Sequence, residues 1–141
     1  AARAASVALV DSGVLTTICA RRQEQAEEAA KVSGAMVGTF PVEPGTWDLL
    51  VNATPIGTAP QTGESLLPAS SLDGRLVYDL VYNPSCTRLL KEASQRGCRT
   101  LGGLEMLIAQ AKRQFEWWTG SHPPGAVFET AAQSGLALTV E

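Results

Sequence analysis

The sequence predicts an α/β fold built on a doubly wound parallel sheet, and three observations carry that prediction. Short β-branched or aliphatic runs, LTTICA, WDLLVN, GRLVYDL and CRTL, alternate with amphipathic segments of helical period. Helices stand between most of these runs, and crossovers of that length suit parallel strands, whereas hairpins need only a few residues. The composition, 45% hydrophobic and 18% charged over 141 residues, is that of an ordinary globular domain. A chain of this size buries roughly two-thirds of its unfolded surface, enough for one core. One domain is therefore expected, spanning residues 1–141.

Ala1, Ala4, Ala5, Ala8 and Leu9 share one stripe of a helix that Gly13 stops, and such small side chains let a helix lie close to a sheet. Leu15 to Ala20 reads as a short strand, and Arg21 to Gly34 as a helix whose Glu24, Glu27, Glu28 and Lys31 mark a solvated face. Asp48 to Asn52 is a buried strand broken by Thr54-Pro55 and Gly57, which open a Pro/Gly/Thr-rich loop running to about Leu67. Leu76 to Leu80 is a further strand, stopped by Asn83-Pro84. The helix in SCTRLLKEASQRG then ends at Gly97, and CRTL is a short last strand. Leu104, Leu107, Ile108, Ala111, Phe115 and Trp118 give a strong helical period closed by Gly120, with the Trp117-Trp118 pair expected to serve packing. A final helix from about Ala126 to Ser134 follows Pro123-Pro124.

Several classes of function fall away. Eleven Lys+Arg against fourteen Asp+Glu give a net charge of −3, and no basic run exceeds Arg21-Arg22, so nucleic acid is not an expected partner. No run approaches the roughly 18 apolar residues of a membrane helix, and Asp11 interrupts the alanine-rich start, which lacks the basic lead of a signal peptide. Cys19, Cys86 and Cys98 are an odd set without a C-x-x-C, which points to a reduced, cytoplasmic protein. The single histidine, His122, leaves no Ser-His-Asp triad and too few ligands for a His/Cys metal site.

In a parallel α/β sheet, ligands sit outside the carboxyl ends of the strands. Arg21 and Arg22 follow one such end, with no acid at the strand tip; a guanidinium there suits a ribose 2′-phosphate, and the plain alternative is two arginines opening a solvated helix. Asn52-Ala53-Thr54-Pro55 places polar groups at a second strand exit, or is a bare turn. Asp79 and Tyr82 flank a third, where a phenol could bond a polar ligand or simply be buried. Gly102-Gly103 opens a helix whose Gly103, Met106 and Gln110 share a stripe, giving close backbone approach and a polar amide, or a hinge with surface filler.

In this order, the stretches AARA, CARRQEQAEEAA, WDLLVNATPIG, VYDLVYNPSCTRLLKEA and GGLEMLIAQAKRQFEWWTG closely resemble the C-terminal NADP-binding domain of shikimate dehydrogenases. The resemblance covers about Ala1 to Thr130, and the last two stretches are far more specific than a generic dinucleotide-binding pattern. GLEM and QFEWWTG are also similar to the forms in fused dehydroquinate dehydratase/shikimate dehydrogenases. What the resemblance implies is a Rossmann-like fold and reversible, NADPH-dependent reduction of 3-dehydroshikimate to shikimate in the cytoplasm. It implies that Arg21 meets the 2′-phosphate between Ala20 and Arg22, where the family has Asn-Arg-Thr, while Gln25 stands where many members have a second arginine. It further implies that Leu80 and Gly103 line the nicotinamide, that Asn52, Ala53 and Thr54 lie beside the cofactor, and that Tyr82 and Gln110 contact the substrate.

The family's glycine-rich turn, the strand before it and its N-terminal substrate domain with a catalytic Lys and Asp would all precede Ala1, which would itself stand beside the cofactor. Counting back the usual distance of about 20 residues from the ribose-reading position also lands just ahead of Ala1. The expectation is of a partial domain whose central strand and glycine-rich loop are missing, with Ala4, Ala8 and Leu9 exposed along an open trough. Quinate dehydrogenation, a bifunctional relative and a nucleotide-binding module without catalysis stay open as alternatives.

Overall fold

The computed structural model describes residues 1–137. Its elements run α1 (Ala2–Asp11), β1 (Thr17–Cys19), α2 (Gln23–Ser33), β2 (Met36–Gly38), β3 (Leu49–Asn52), a single 3-10 turn (Ala69–Ser71), β4 (Leu76–Asp79), α3 (Arg88–Gln95), β5 (Arg99–Leu101), α4 (Gly103–Thr119) and α5 (Val127–Ala137). All strand pairs are parallel, but among the described residues they form two ribbons rather than one sheet: β1-β2, and β3-β4-β5 with β4 central. Each of β1 and β3 thus pairs along one edge alone.

The register places strand ends together. Leu49 lies opposite Leu76 and Asn52 opposite Asp79, while Tyr78 pairs with Leu101. In the first ribbon Cys19 lies opposite Gly38. Helical crossovers link β1 to β2 through α2 and β4 to β5 through α3. The β3-to-β4 connection differs from the expected pattern, since it holds no α-helix and only the one 3-10 turn. Its leucines do the covering instead: Leu67 and Leu72 are buried with Leu50, Val77, Leu89, Leu90, Ala93 and Cys98 in the one large apolar cluster. Phe40, Val42, Trp47 and Leu66 pack on its margin.

The first ribbon is covered by small residues. Ala26, Ala29, Ala30 and Ser33 are the buried face of α2, and α1 rests on α2 rather than on a sheet. Ser6 is the buried residue of α1, whereas Ala4 and Ala8 are exposed and Leu9 half-buried, because no strand lies beneath that stripe among the described residues.

Helix ends follow the predicted glycines. Gly34 and Gly120 adopt left-handed φ of 75° and 67° after α2 and α4, a conformation that costs a residue with a Cβ about 1 kcal/mol or more. Thr87 caps α3, its hydroxyl accepting from the Leu90 amide at 3.3 Å. On α4, Leu104, Leu107, Ile108, Ala111 and Phe115 are half-buried, and Phe115 meets Phe128 of α5 edge-on with ring centroids 5.9 Å apart. The packing expected of the tryptophan pair is absent: Trp117 and Trp118 are 86% and 76% exposed, since α5 takes the Phe115 face and no other described element covers theirs.

Candidate functional site

The carboxyl ends of β3 and β4 carry a buried, hydrogen-bonded polar group. Asn52 and Asp79, opposite each other in register, are both fully buried, as is Thr87. Asn52 Nδ2 donates to Asp79 Oδ1 at 2.9 Å and to the Ile56 carbonyl at 3.3 Å. Asn52 Oδ1 accepts from the Thr54 amide at 3.0 Å and from the Thr54 hydroxyl at 2.7 Å, which folds Ala53 to Ile56 back over the strand end. Asp79 Oδ1 also accepts from the Val81 amide at 3.1 Å, and Oδ2 from the Thr87 hydroxyl at 2.6 Å. The ladder continues one step beyond the strands, with the Leu80 amide donating to the Asn52 carbonyl at 3.0 Å.

Gly103 joins this assembly from α4. Its amide donates to the Val81 carbonyl at 3.2 Å, and a Cβ on it would overlap the Leu80 carbonyl, so the helix start is seated directly on the β4 exit. The loop after β3 is tied to the same place: the Ala59 amide donates to Asn83 O at 3.0 Å and Arg88 Nη1 donates to Gly63 O at 2.9 Å. Asn52, Ala53, Thr54, Leu80 and Gly103 are therefore brought together around the ends of β3 and β4. Tyr82 follows at 43% exposure with its ring open to solvent, and Gln110 is exposed two turns along α4. Neither makes a side-chain hydrogen bond among the described residues, so both are free to meet a ligand.

The second group of predicted residues stands at the end of β1. Ala20 is half-buried, Arg21 is exposed, and Arg22 is the extended residue from which α2 starts, its carbonyl accepting from the Gln25 and Ala26 amides. Neither guanidinium is paired with an acid among the described residues, and the nearest acid in sequence is Glu24 in the first turn of α2. Two unpaired cations at a strand end are a donor set that fits a phosphomonoester. Ala1 stands at the N-cap of α1, where backbone N–H groups face outward without a side-chain cap. Cys19, one residue before this group, has its thiol pushed up by burial.

A shallow groove of about 460 Å³ opens beside α3 and β5 between Cys86, Lys91, Thr100 and Gly102, and of the candidate residues read from the sequence Gly102 alone lines it. Tyr78 at mid-β4 has its phenol raised by burial and by the Glu105 carboxylate. No cluster of His, Cys, Asp and Glu among the described residues could hold a metal, and no described helix is long and apolar enough to cross a membrane. Sequence reasoning put Asp79 at a strand exit without assigning it a role, and missed Thr87. The signal was present in two otherwise apolar strands, LLVN and LVYD, that end on polar residues in register.

Parallel strands joined by helical crossovers, with polar groups and unpaired cations at their carboxyl ends, define a Rossmann-like α/β domain. The model of the shikimate 5′-dehydrogenase C-terminal domain matches residues 103–133. The chain is 39% identical to the shikimate dehydrogenase (NADP(+)) of Archaeoglobus fulgidus over 96% of its own length and 54% of that protein's. It superposes on the shikimate 5-dehydrogenase of Thermus thermophilus, solved with NADP(H) and shikimate, with a TM-score of 0.80 at 35% identity, covering 92% of this chain and 49% of that one. It also resembles the quinate dehydrogenase of Corynebacterium glutamicum in complex with NAD, with a TM-score of 0.76 at 31% identity over 96% of this chain and 51% of that one. The chain is similar to shikimate dehydrogenases over nearly all of its own length, and it spans about half the length of the curated relatives it matches.

Proposed function

We propose that residues 1–141 belong to the NADP-binding domain of an oxidoreductase that interconverts 3-dehydroshikimate and shikimate in the cytoplasm. The observation that carries this reading is the unpaired Arg21 at the end of β1, with Arg22 beside it, in a chain whose curated relatives are named for NADP(+). When bound, NADP supplies the hydride chemistry of the reaction. The chain's own residues bind and orient. Arg21 holds the 2′-phosphate, flanked by Ala20 and Arg22, and Ala1 opens a helix whose N-terminus favours the pyrophosphate. Ala53 and Thr54, shaped by Asn52, line the cofactor, and Leu80 with the Cβ-free Gly103 lets the nicotinamide come close to backbone. Tyr82 and Gln110 reach the substrate's polar groups. No residue of this group is a credible acid or base for the carbonyl, so proton transfer falls to a Lys and an Asp of a substrate-binding domain that works with this one.

Calorimetric titration of NADP⁺ and of NAD⁺ into the protein tests the reading. Saturable binding that favours NADP⁺, and that loses about tenfold or more on Arg21→Ala while NAD⁺ is unaffected, is the expected result. Equal affinity for both, unchanged in the variant, would overturn it. The departures at Ala20, Arg22 and Gln25, with the likeness to an NAD-bound quinate dehydrogenase, support a second reading on NAD and quinate, which the same titration separates.

A further inference from the structure

The two turns that carry the proposed cofactor and substrate contacts are joined by one carboxylate. Asp79 accepts three hydrogen bonds, from Asn52 Nδ2 on the β3 side, from the Val81 amide on its own side and from the Thr87 hydroxyl at the start of α3. Asn52 in turn uses both amide hydrogens and both lone pairs of its oxygen: toward Asp79 and Ile56 O, and from the Thr54 amide and hydroxyl. Thr87 donates to Asp79 and accepts from Leu90. Asn52, Asp79 and Thr87 are all fully buried, so a lost partner cannot be replaced by solvent, and the arrangement has one low-energy form.

We infer that Asp79 is a positioning residue, which locks the Ala53–Ile56 turn and the Leu80–Tyr82 turn into a single unit so that the surfaces offered to cofactor and to substrate are set together. This rests on the reading given under Proposed function. Three features make it more than a packing contact. The chain of bonds runs from Thr54, on the cofactor side, through Asn52 and Asp79 to Val81, between Leu80 and Tyr82. The Val81 carbonyl then receives the Gly103 amide, which extends the lock to α4. The anchoring Thr87 hydroxyl comes from a third segment, so the carboxylate cannot rotate to follow one turn and abandon the other.

Thr87→Val removes both the donor to Asp79 and the acceptor that caps α3, and Thr87→Ser restores both. In Thr87→Val, amide exchange at Thr54 and Val81 is expected to quicken at least tenfold while the buried amides of α2 keep their rates, and the Kd for NADP⁺ is expected to rise on the order of tenfold at unchanged stoichiometry. Thr87→Ser should return both to the parent values. A merely structural role would instead lower the number of binding sites, leave Kd alone and quicken exchange throughout, and that result, or no change at all, overturns the inference. Should Thr87→Val fail to fold, Asp79→Asn serves in its place: its amide can face Thr87, so a loss of about threefold in the same two readouts is expected. If the unsubstituted protein binds no NADP⁺, the cofactor reading fails, and the exchange measurement still decides whether the two turns are coupled.

Discussion

A methyl group on Gly103 would press into the carbonyls of Leu80 and Val81, both of them backbone and unable to swing aside. Gly103→Ala is therefore expected to destabilise the protein by about 1–3 kcal/mol, read as a shift in the urea midpoint, because α4 must lift from the β4 exit to make room. Arg21 differs in kind, since it is exposed and its replacement should leave that midpoint in place while altering cofactor choice. At this scale the sequence made the placement of Gly103, Tyr82 and the arginines at a helix start or strand end legible, because each stands beside a clear break in an apolar run. Asp79 and Thr87 were not, because a buried polar side chain shows its partners only once distant segments have met: Asn52 and Asp79 are 27 positions apart.

Among the elements, α5 has the thinnest attachment. It meets α4 through the Phe115–Phe128 pair and a bond from Lys112 Nζ to Glu129 Oε1 at 2.5 Å. That bond holds the Glu129 carboxyl below its ordinary range, and the His122 and Arg113 bonds do the same for Glu116 near the end of α4. A carboxyl with a depressed folded-state pKa contributes stability that is present above its unfolded value and is lost as pH falls through the folded one. Acidification below the usual carboxylate range should therefore release α5 and the 120–124 turn first, checked by amide exchange in α5 at successively lower pH; release at neutral pH instead would contradict this. The helices were legible from their stop glycines and apolar stripes. Strand β2 was not, since Met36–Gly38 is three residues long and carries no alternation, and it is a strand only because β1 lies beside it.

Across the whole molecule, the large buried side chains belong to the second ribbon. Leu50, Leu67, Leu72, Val77, Leu89 and Leu90 cluster around β3-β4-β5, while the first ribbon buries mainly alanine and serine of α2 and α1. Burial of small side chains yields little of the roughly 25 cal/mol per Å² that holds a core. Two levels of amide protection should result, high at Leu50, Val77 and Tyr78 and low at Ile18 and Val37, and a single common level would refute the division. The parallel α/β character was legible from alternating strands and helices; the leucine-lined 53–75 connection was not, because Pro and Gly near Thr54 to Gly63 mark a loop while Leu67 and Leu72 sit in it as core. The division into ribbons also has a mechanical side. Were the chain pulled from its two ends, no ladder of inter-strand bonds between β1 and β3 would lie in the path of the force. Once α5 had peeled from α4, the next rupture would come where Phe40 and Val42 hold against the larger core, at low tension, with each ribbon still intact.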